Sequence, residues 1–404
     1  MFGSLRIRNY RVWAGGALVS NVGTWMQRVA QDWLVLAILT RHNASAVGVV
    51  MALQFGPQLL LLPWSGYAAD RLDRRKLLIA TQAALGLLAL GLGLVTVAGV
   101  VTLWQVYVFA FLLGCVSAFD APVRQVFVND LVGDEHLANA VALNSTSFNA
   151  ARMIGPAVAG LLIAAVGCGW VFLINAASFA GVLASLMLLR VDQLHGAVRG
   201  SRKAGGIAEG FRYVWRRPDL MAVLVMLFLI GTFGLNFPIF ISTMALTAFH
   251  GGAGQYGLLT SAFAVGSVGG ALYSAYRSQP GMAVLCTASA VFGIGCALAA
   301  LAPDEALFAA ALVLTGLAAL VFLTGTNSLM QLTTEPAMRG RVMALRIAVA
   351  MGGTPLGAPI VGWIADHFGP RWALGVGAAS GLAAMAVALR HMAGLRLRPV
   401  AAEV

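Results

Sequence analysis

The feature that most constrains this chain is a near-continuous series of apolar stretches about 20 residues long, separated by short polar breaks. A helix crossing the hydrocarbon core needs roughly that length, because in lipid every backbone polar group must be satisfied within the segment itself. The stretches lie near 12–37, 46–68, 76–99, 101–121, 137–164 and 168–189, then near 220–246, 254–275, 282–302, 305–330, 340–364 and 372–391. They predict an all-α membrane protein with twelve transmembrane helices in two six-helix pseudo-symmetric bundles. Composition agrees: of 404 residues, 60% are hydrophobic and 10% charged, against about 25% charged in a soluble domain.

A net charge of +11 raises the question of nucleic acid, and the placement of the basic residues answers it. With the N-terminus inside, 21 of 26 Lys and Arg residues fall on one side of the predicted topology. Only Arg41 and Arg371 lie in loops on the other side, and Arg28, Arg152 and Arg346 fall within spans. This positive-inside asymmetry predicts both termini in the cytoplasm and no nucleic-acid partner. The basic N-terminal segment runs into a full-length span without a small-residue cleavage site, so an uncleaved anchor is expected. Cys115, Cys168, Cys286 and Cys296 lack metal-ligand spacing, so neither metal nor cofactor is expected. The two lysines, Lys76 before Leu77 and Lys203 before Ala204, exclude a phosphate-binding G-x-x-x-x-G-K-[ST] loop and with it a self-contained ATP-driven pump. Clustered catalytic groups at membrane depth are also missing, so an enzyme is not expected.

Displacing the sequence by 202 residues superimposes related segments. Ile154-Gly155 meets Leu356-Gly357, Gly160 meets Gly362, Gly167 meets Gly369, Trp170 meets Trp372, and Gly114 meets Gly316. The implied domains are 1–190 and 220–404, joined by a cytoplasmic connector over 191–219. In it Ile207, Phe211, Val214 and Trp215 form one apolar helical face beside Arg212, Arg216 and Arg217, as expected of a helix lying on lipid.

The turn after the second span reads Gly66-Tyr67-Ala68-Ala69-Asp70-Arg71-Leu72-Asp73-Arg74-Arg75-Lys76. This resembles the signature loop of the major facilitator superfamily, G-x-x-x-D-R-x-G-R-R/K, with Asp73 in place of the final glycine. The resemblance covers the chain and implies that Gly66, Asp70, Arg71 and Arg74 form a conformational latch with Asp120 as the partner acid. The corresponding turn of the second half, Tyr276-Arg277-Ser278-Gln279-Pro280, lacks the acid. Gly155-Pro156 with Gly160 is similar to the superfamily's antiporter motif and implies export, with a proline kink expected at mid-membrane. The run Leu131-Val132-Gly133-Asp134-Glu135 with Asn139, and Asn9-Tyr10-Arg11 leading to Trp25, resemble the group of bacterial enterobactin exporters and drug-efflux proteins. The arginine that superfamily members often carry in the fourth span has no counterpart between Val101 and Ala121.

Ionisable groups at bilayer depth are costly and point to function. Asn21, Arg28 and Asp32 share a face of the first span, with Gln27 and Gln31 beside them. Ser145, Asn149, Arg152 and Pro156 align on the fifth, and Gln54 and Gln58 on the second. These stripes are expected to line a polar cavity. Asp32, with Arg28 and Arg152, is the candidate for proton coupling. Two other readings of these charges stay open: a static Asp32 ion pair, and arginines that meet an anionic substrate. Trp25, Trp33, Phe55, Phe148 and Phe233 offer faces to a planar molecule. The expected protein is a secondary transporter in the bacterial cytoplasmic membrane, acting as a monomer among membrane lipids. It would export a small amphiphilic molecule such as a drug or siderophore by alternating access, with protons as the coupling ion. Uptake, lipid transport or a transport-inactive receptor with this fold are the alternatives.

Overall fold

The computed structural model describes residues 3–195, 207–276, 281–336 and 338–396. Arg199, Arg202, Lys203, Arg277 and Arg398 lie outside it, as do the side chains of Asp70, Asp134, Ile207 and Arg396. Among the described residues the chain is helical apart from short turns. The helices are α1 Arg8–Trp33, α2 Ala44–Leu60, α3 Leu62–Arg71, α4 Arg74–Val97, α5 Leu103–Val166, α6 Cys168–Met187 and α7 Ile207–Trp215. They continue with α8 Pro218–Leu229, α9 Phe237–Thr243, α10 Ala253–Tyr276, α11 Met282–Leu301, α12 Glu305–Thr333, α13 Arg339–Phe368 and α14 Pro370–Arg396.

Helix ends follow local chemistry. Asn43 and Asp304 accept the N–H groups of Ala46 and Leu307 at 3.0 and 2.9 Å, capping α2 and α12. Within α5 the one break in helical backbone is at Gly133 (φ 69, ψ 177), which separates arms Leu103–Gly133 and Glu135–Val166. This differs from the loop expected over 122–136. The charges there ride on helix that continues beyond the apolar stretch, so hydropathy marks the end of the span and not the end of the helix. The backbone dihedrals stay helical through Pro156.

Ten helices among the described residues are long and apolar enough to span a membrane, counting each arm of α5 and the α8–α9 run Pro218–Ala248 separately. This is an integral membrane protein. The chain clusters into two units. One comprises Met1–Ser201 with Ile241–Ser261, and the other Arg202–Phe240 with Ala262–Val404.

The 202-residue repeat extends to backbone and packing. Gly167 (φ 85, ψ 167) and Gly369 (φ 97, ψ 165) end α5 and α13 in a conformation that disfavours a Cβ. Each is followed at once by the next helix. Inside the first unit, a Cβ on Gly114 would strike the carbonyl of Leu53 on α2. One on Gly155 would strike Trp25 Cβ of α1 at 2.7 Å. The second unit repeats both crossings: Gly316 lies against the Phe263 carbonyl of α10, and Gly357 against Thr232 after α8.

Candidate transport site and its supporting clusters

The polar stripe of α1 divides among three destinations. Asp32, 9% exposed, accepts a hydrogen bond from the Tyr256 hydroxyl at 3.0 Å. Tyr256 is buried at the start of α10, within the first unit. The indole of Trp33 stacks on its ring with centroids 6.1 Å apart and planes at 21°. This stretch of α10 seats closely on the second arm of α5. Gly257 lies against the Pro156 carbonyl, Gly160 faces the Ala253 carbonyl, and Ser261 donates to the Met153 carbonyl at 2.8 Å. Gly155, Pro156 and Gly160 therefore form a close-packed seam, contacted by α1 on one side and by residues 253–261 on the other.

One turn before Asp32, the Arg28 guanidinium lies 4.9 Å from the centroid of Trp25. No ion pair within 4 Å joins Arg28 to Asp32 among the described residues. Arg152 reaches the same indole at 5.6 Å, and Phe148 meets it edge-on at 5.7 Å. A cation over an aromatic face gains about 0.5–2 kcal/mol depending on desolvation. A cation at bilayer depth costs about 3 kcal/mol or more.

The remaining expected cavity residues turn elsewhere. Asn21 accepts from Arg124 Nη1 at 3.2 Å, and Gln27 accepts from the buried Asn175 amide of α6. Both side chains point into helix contacts and not toward Asp32. Gln31 is buried, with its Nε2 unpartnered among the described residues. Gln58 and Asn149 bond back to the carbonyls of Gln54 and Ser145 on their own helices, at 2.9 and 2.8 Å. Gln54 itself is buried where α2 crosses Gly114.

The α3–α4 turn explains its departure from the superfamily pattern. Asp73 caps α4 by accepting the Lys76 N–H at 3.1 Å, and both Leu72 and Asp73 have negative φ. The turn needs no glycine, and a capping aspartate serves it better. Gly66 sits inside α3, and a Cβ there would meet nothing within 4 Å. Asp70, the acid of the motif, lies outside the described side chains. Arg71 rests 5.3 Å from the Tyr67 ring centroid, and Arg75 donates to the Leu186 carbonyl at 2.9 Å, at the end of α6.

Arg74 pairs with Asp130 at 2.7 Å, an acid that the sequence reading did not single out. The backbone carbonyl of Asp130 in turn accepts the His195 N–H at 2.9 Å. Asp120, expected as the partner of Arg74, is surrounded instead by Thr81 and Gln82 of α4, at 2.8 and 2.7 Å, and by Arg124 at 2.6 Å. Arg124 lies one turn past Asp120, because α5 continues where the span was expected to end. Asn9 clamps Arg190 through both its backbone N–H and carbonyl, at 3.0 and 2.9 Å, and Tyr10 donates to the Ala140 carbonyl at 2.9 Å. The Asn9-Tyr10 pair thus ties the start of α1 to the far ends of α5 and α6.

In the second unit, Arg346 does not extend along the helix toward the surface. It donates to the Leu323 carbonyl and the Thr326 hydroxyl of α12, at 2.7 and 3.1 Å. Arg341 pairs with Glu209 at 2.9 Å, which docks α7 onto α13.

Known structures of the same fold define the class. The chain is similar to a bacterial homologue of the iron transporter ferroportin in its inward-facing state, with TM-score 0.74 and 15% identity over 95% of this chain and 98% of that one. A D-xylose–proton symporter gives 0.73 and 14%, over 94% and 96%. The fold is that of the major facilitator transporters, which are not enzymes. More narrowly, residues 1–403 match the family described as transmembrane secretion effector, and the chain belongs to it. Its relatives include the staphyloferrin A transporter of Staphylococcus aureus, 26% identical over 86% of this chain and 87% of the relative. The multidrug efflux pump Tap of Mycolicibacterium fortuitum is 27% identical over 87% and 88%. The enterobactin exporter EntS of Shigella flexneri is 26% identical over 81% and 78%.

Proposed function

We propose that this chain is a proton-coupled secondary exporter of a small amphiphilic molecule, a drug, siderophore or related metabolite, working by alternating access in the cytoplasmic membrane of a bacterium. The export names carried by its relatives support the direction. Twelve spans follow if α1 and the α2–α3 pair are added to the ten apolar helices. α1 is polar because Gln27, Arg28, Gln31 and Asp32 face protein and not lipid, and α2 is simply short at 17 residues. The bundles are 1–190 and 220–404 with the connector 191–219, and the basic asymmetry puts both termini in the cytoplasm. Both related halves lie in one chain, so a monomer suffices.

The observation that carries the coupling proposal is the Asp32–Tyr256 hydrogen bond. Asp32 is the only acid deep within a predicted span, and a bond to a carboxylate is roughly twice as strong as one to a neutral acid. Protonation of Asp32 therefore loosens α10 from α1. The Arg74–Asp130 and Asp120–Arg124 pairs, with Gly66, Asp70 and Arg71, make up the conformational latch. Cells expressing the wild type should accumulate less substrate than cells expressing Asp32→Asn. Equal accumulation, with equal amounts of protein in the membrane, removes Asp32 from the mechanism.

A further inference from the structure

We propose that α7, the connector helix Ile207–Trp215, is a binding site for an acidic phospholipid: Arg212 and Arg216 receive the headgroup phosphate, and Phe211 and Trp215 enter the acyl boundary beside it.

The apolar face expected of this helix is divided by its packing. Val214 is fully buried, and a Cβ on Gly210 would meet the Arg341 carbonyl oxygen at 3.0 Å. Glu209 pairs with Arg341 at 2.9 Å. The Tyr213 hydroxyl accepts from Arg217 at 3.3 Å and from the Glu335 N–H at 3.5 Å. One side of α7 is therefore occupied by α13 and the turn before it. Phe211 and Trp215 stand on the other side, 46% and 68% exposed, with their ring centroids 5.7 Å apart. Arg212 and Arg216 are exposed as well. With about 3.6 residues per turn, these two follow directly round the helix from the aromatic pair. An aromatic ridge and a basic ridge thus run side by side.

The level of α7 and its charge identify what covers these ridges. Trp215 lies just before Pro218, where the apolar run Pro218–Ala248 begins. Arg341, which Glu209 holds, is in the first turn of α13, and Arg217 donates at 3.3 Å to the carbonyl of Thr333, the last residue of α12. The exposed aromatics are therefore level with the ends of spans, where tryptophan is favoured and lipid headgroups surround the protein. Charge then selects the headgroup. The neighbouring acids Glu209 and Asp219 are paired with Arg341 and Arg217, and Glu335 approaches from the docked side. Among the described residues the side chains of Arg212 and Arg216 make no ion pair or hydrogen bond. A headgroup of net negative charge complements both arginines, whereas a zwitterionic one brings a cation of its own. Because Glu209 and Gly210 tie α7 to the first turn of α13, a bound lipid also restrains that end of α13.

The test uses the full chain in detergent, titrated with phosphatidylglycerol or phosphatidylcholine of identical acyl chains, with bound lipid counted by native mass spectrometry. Phosphatidylglycerol should bind at least about tenfold more tightly, as expected for two interfacial arginines. Arg212→Gln/Arg216→Gln should erase the preference, while Arg8→Gln/Arg11→Gln, an equal loss of charge at the exposed start of α1, should keep it. Phe211→Ala/Trp215→Ala should weaken both lipids and leave their ratio. All six positions are exposed, so the variants should elute monodisperse like the wild type. Amide exchange over residues 339–345 should slow at least about threefold with phosphatidylglycerol and not with phosphatidylcholine. Equal binding of the two lipids, a preference that survives the Arg212/Arg216 variant, or one lost equally in the Arg8/Arg11 variant overturns the site. Unchanged exchange at α13 with phosphatidylglycerol bound overturns the restraint.

Discussion

The two units share a scaffold and differ in chemistry. Gly114 and Gly316, Gly155 and Gly357, and Gly167 and Gly369 occupy equivalent crossings and corners. In the first unit that scaffold carries acids at or near burial: Asp32, Asp120 and Asp130, each held by a hydroxyl, an amide or an arginine. In the second, the described ion pairs lie at helix ends, Arg217 with Asp219 and Arg341 with Glu209. Its interior is instead aromatic. Phe237 stacks on Phe263 at 3.9 Å and meets Phe240 and Phe292 edge-on. The repeat has kept the glycines that let helices cross and let the charges diverge, so packing and charge placement are separable properties of this fold.

That separation can be broken experimentally. The largest stability effect is expected where the units agree. Gly155→Val and Gly357→Val each push a side chain into a neighbouring helix and should each destabilise by about 1–3 kcal/mol, read as a drop of several degrees in thermal unfolding. A large asymmetry between the two would show that the crossings are not equivalent. The next effect sets the units apart. Asp130→Asn and Arg74→Gln should each slow transport, and the double variant should be no slower than either single one. A half-buried pair of this kind carries a coupling of about 0.5–3 kcal/mol. Additive rates would mean that the two residues act independently. Smallest is the cap on α4: Asp73→Ala should cost about 1 kcal/mol and Asp73→Gly only a few tenths. If glycine costs as much as alanine, the superfamily's glycine is unwelcome here for a reason other than capping.

Hydropathy and the 202-residue offset made most of the architecture legible, because a helix in lipid must be long and apolar and a glycine crossing leaves a mark at a fixed position. The site was legible only in part. Helical periodicity grouped Asn21, Gln27, Arg28 and Asp32 along α1 but could not say which neighbour each would meet. Asn21 went to Arg124 and Gln27 to Asn175. Tyr256 is 224 residues from Asp32 and carries no local signal, since a tyrosine near a span end reads as an interfacial anchor. Asp130 was hidden by the assumption that a helix stops where its apolar stretch stops. The carboxylate that Arg74 reaches lies on the part of α5 that continues past that point.

In the proposed mechanism Asp32 couples proton movement to substrate movement without being needed for the substrate's own passage. The most direct measurement compares two fluxes in proteoliposomes containing Asp32→Asn: substrate movement driven by an imposed pH gradient, and exchange of labelled for unlabelled substrate with no gradient. Gradient-driven flux should fall at least about tenfold, as expected for loss of an essential proton-transfer group, while exchange persists near the wild-type rate. Gradient-driven flux at the wild-type level in that variant would contradict it.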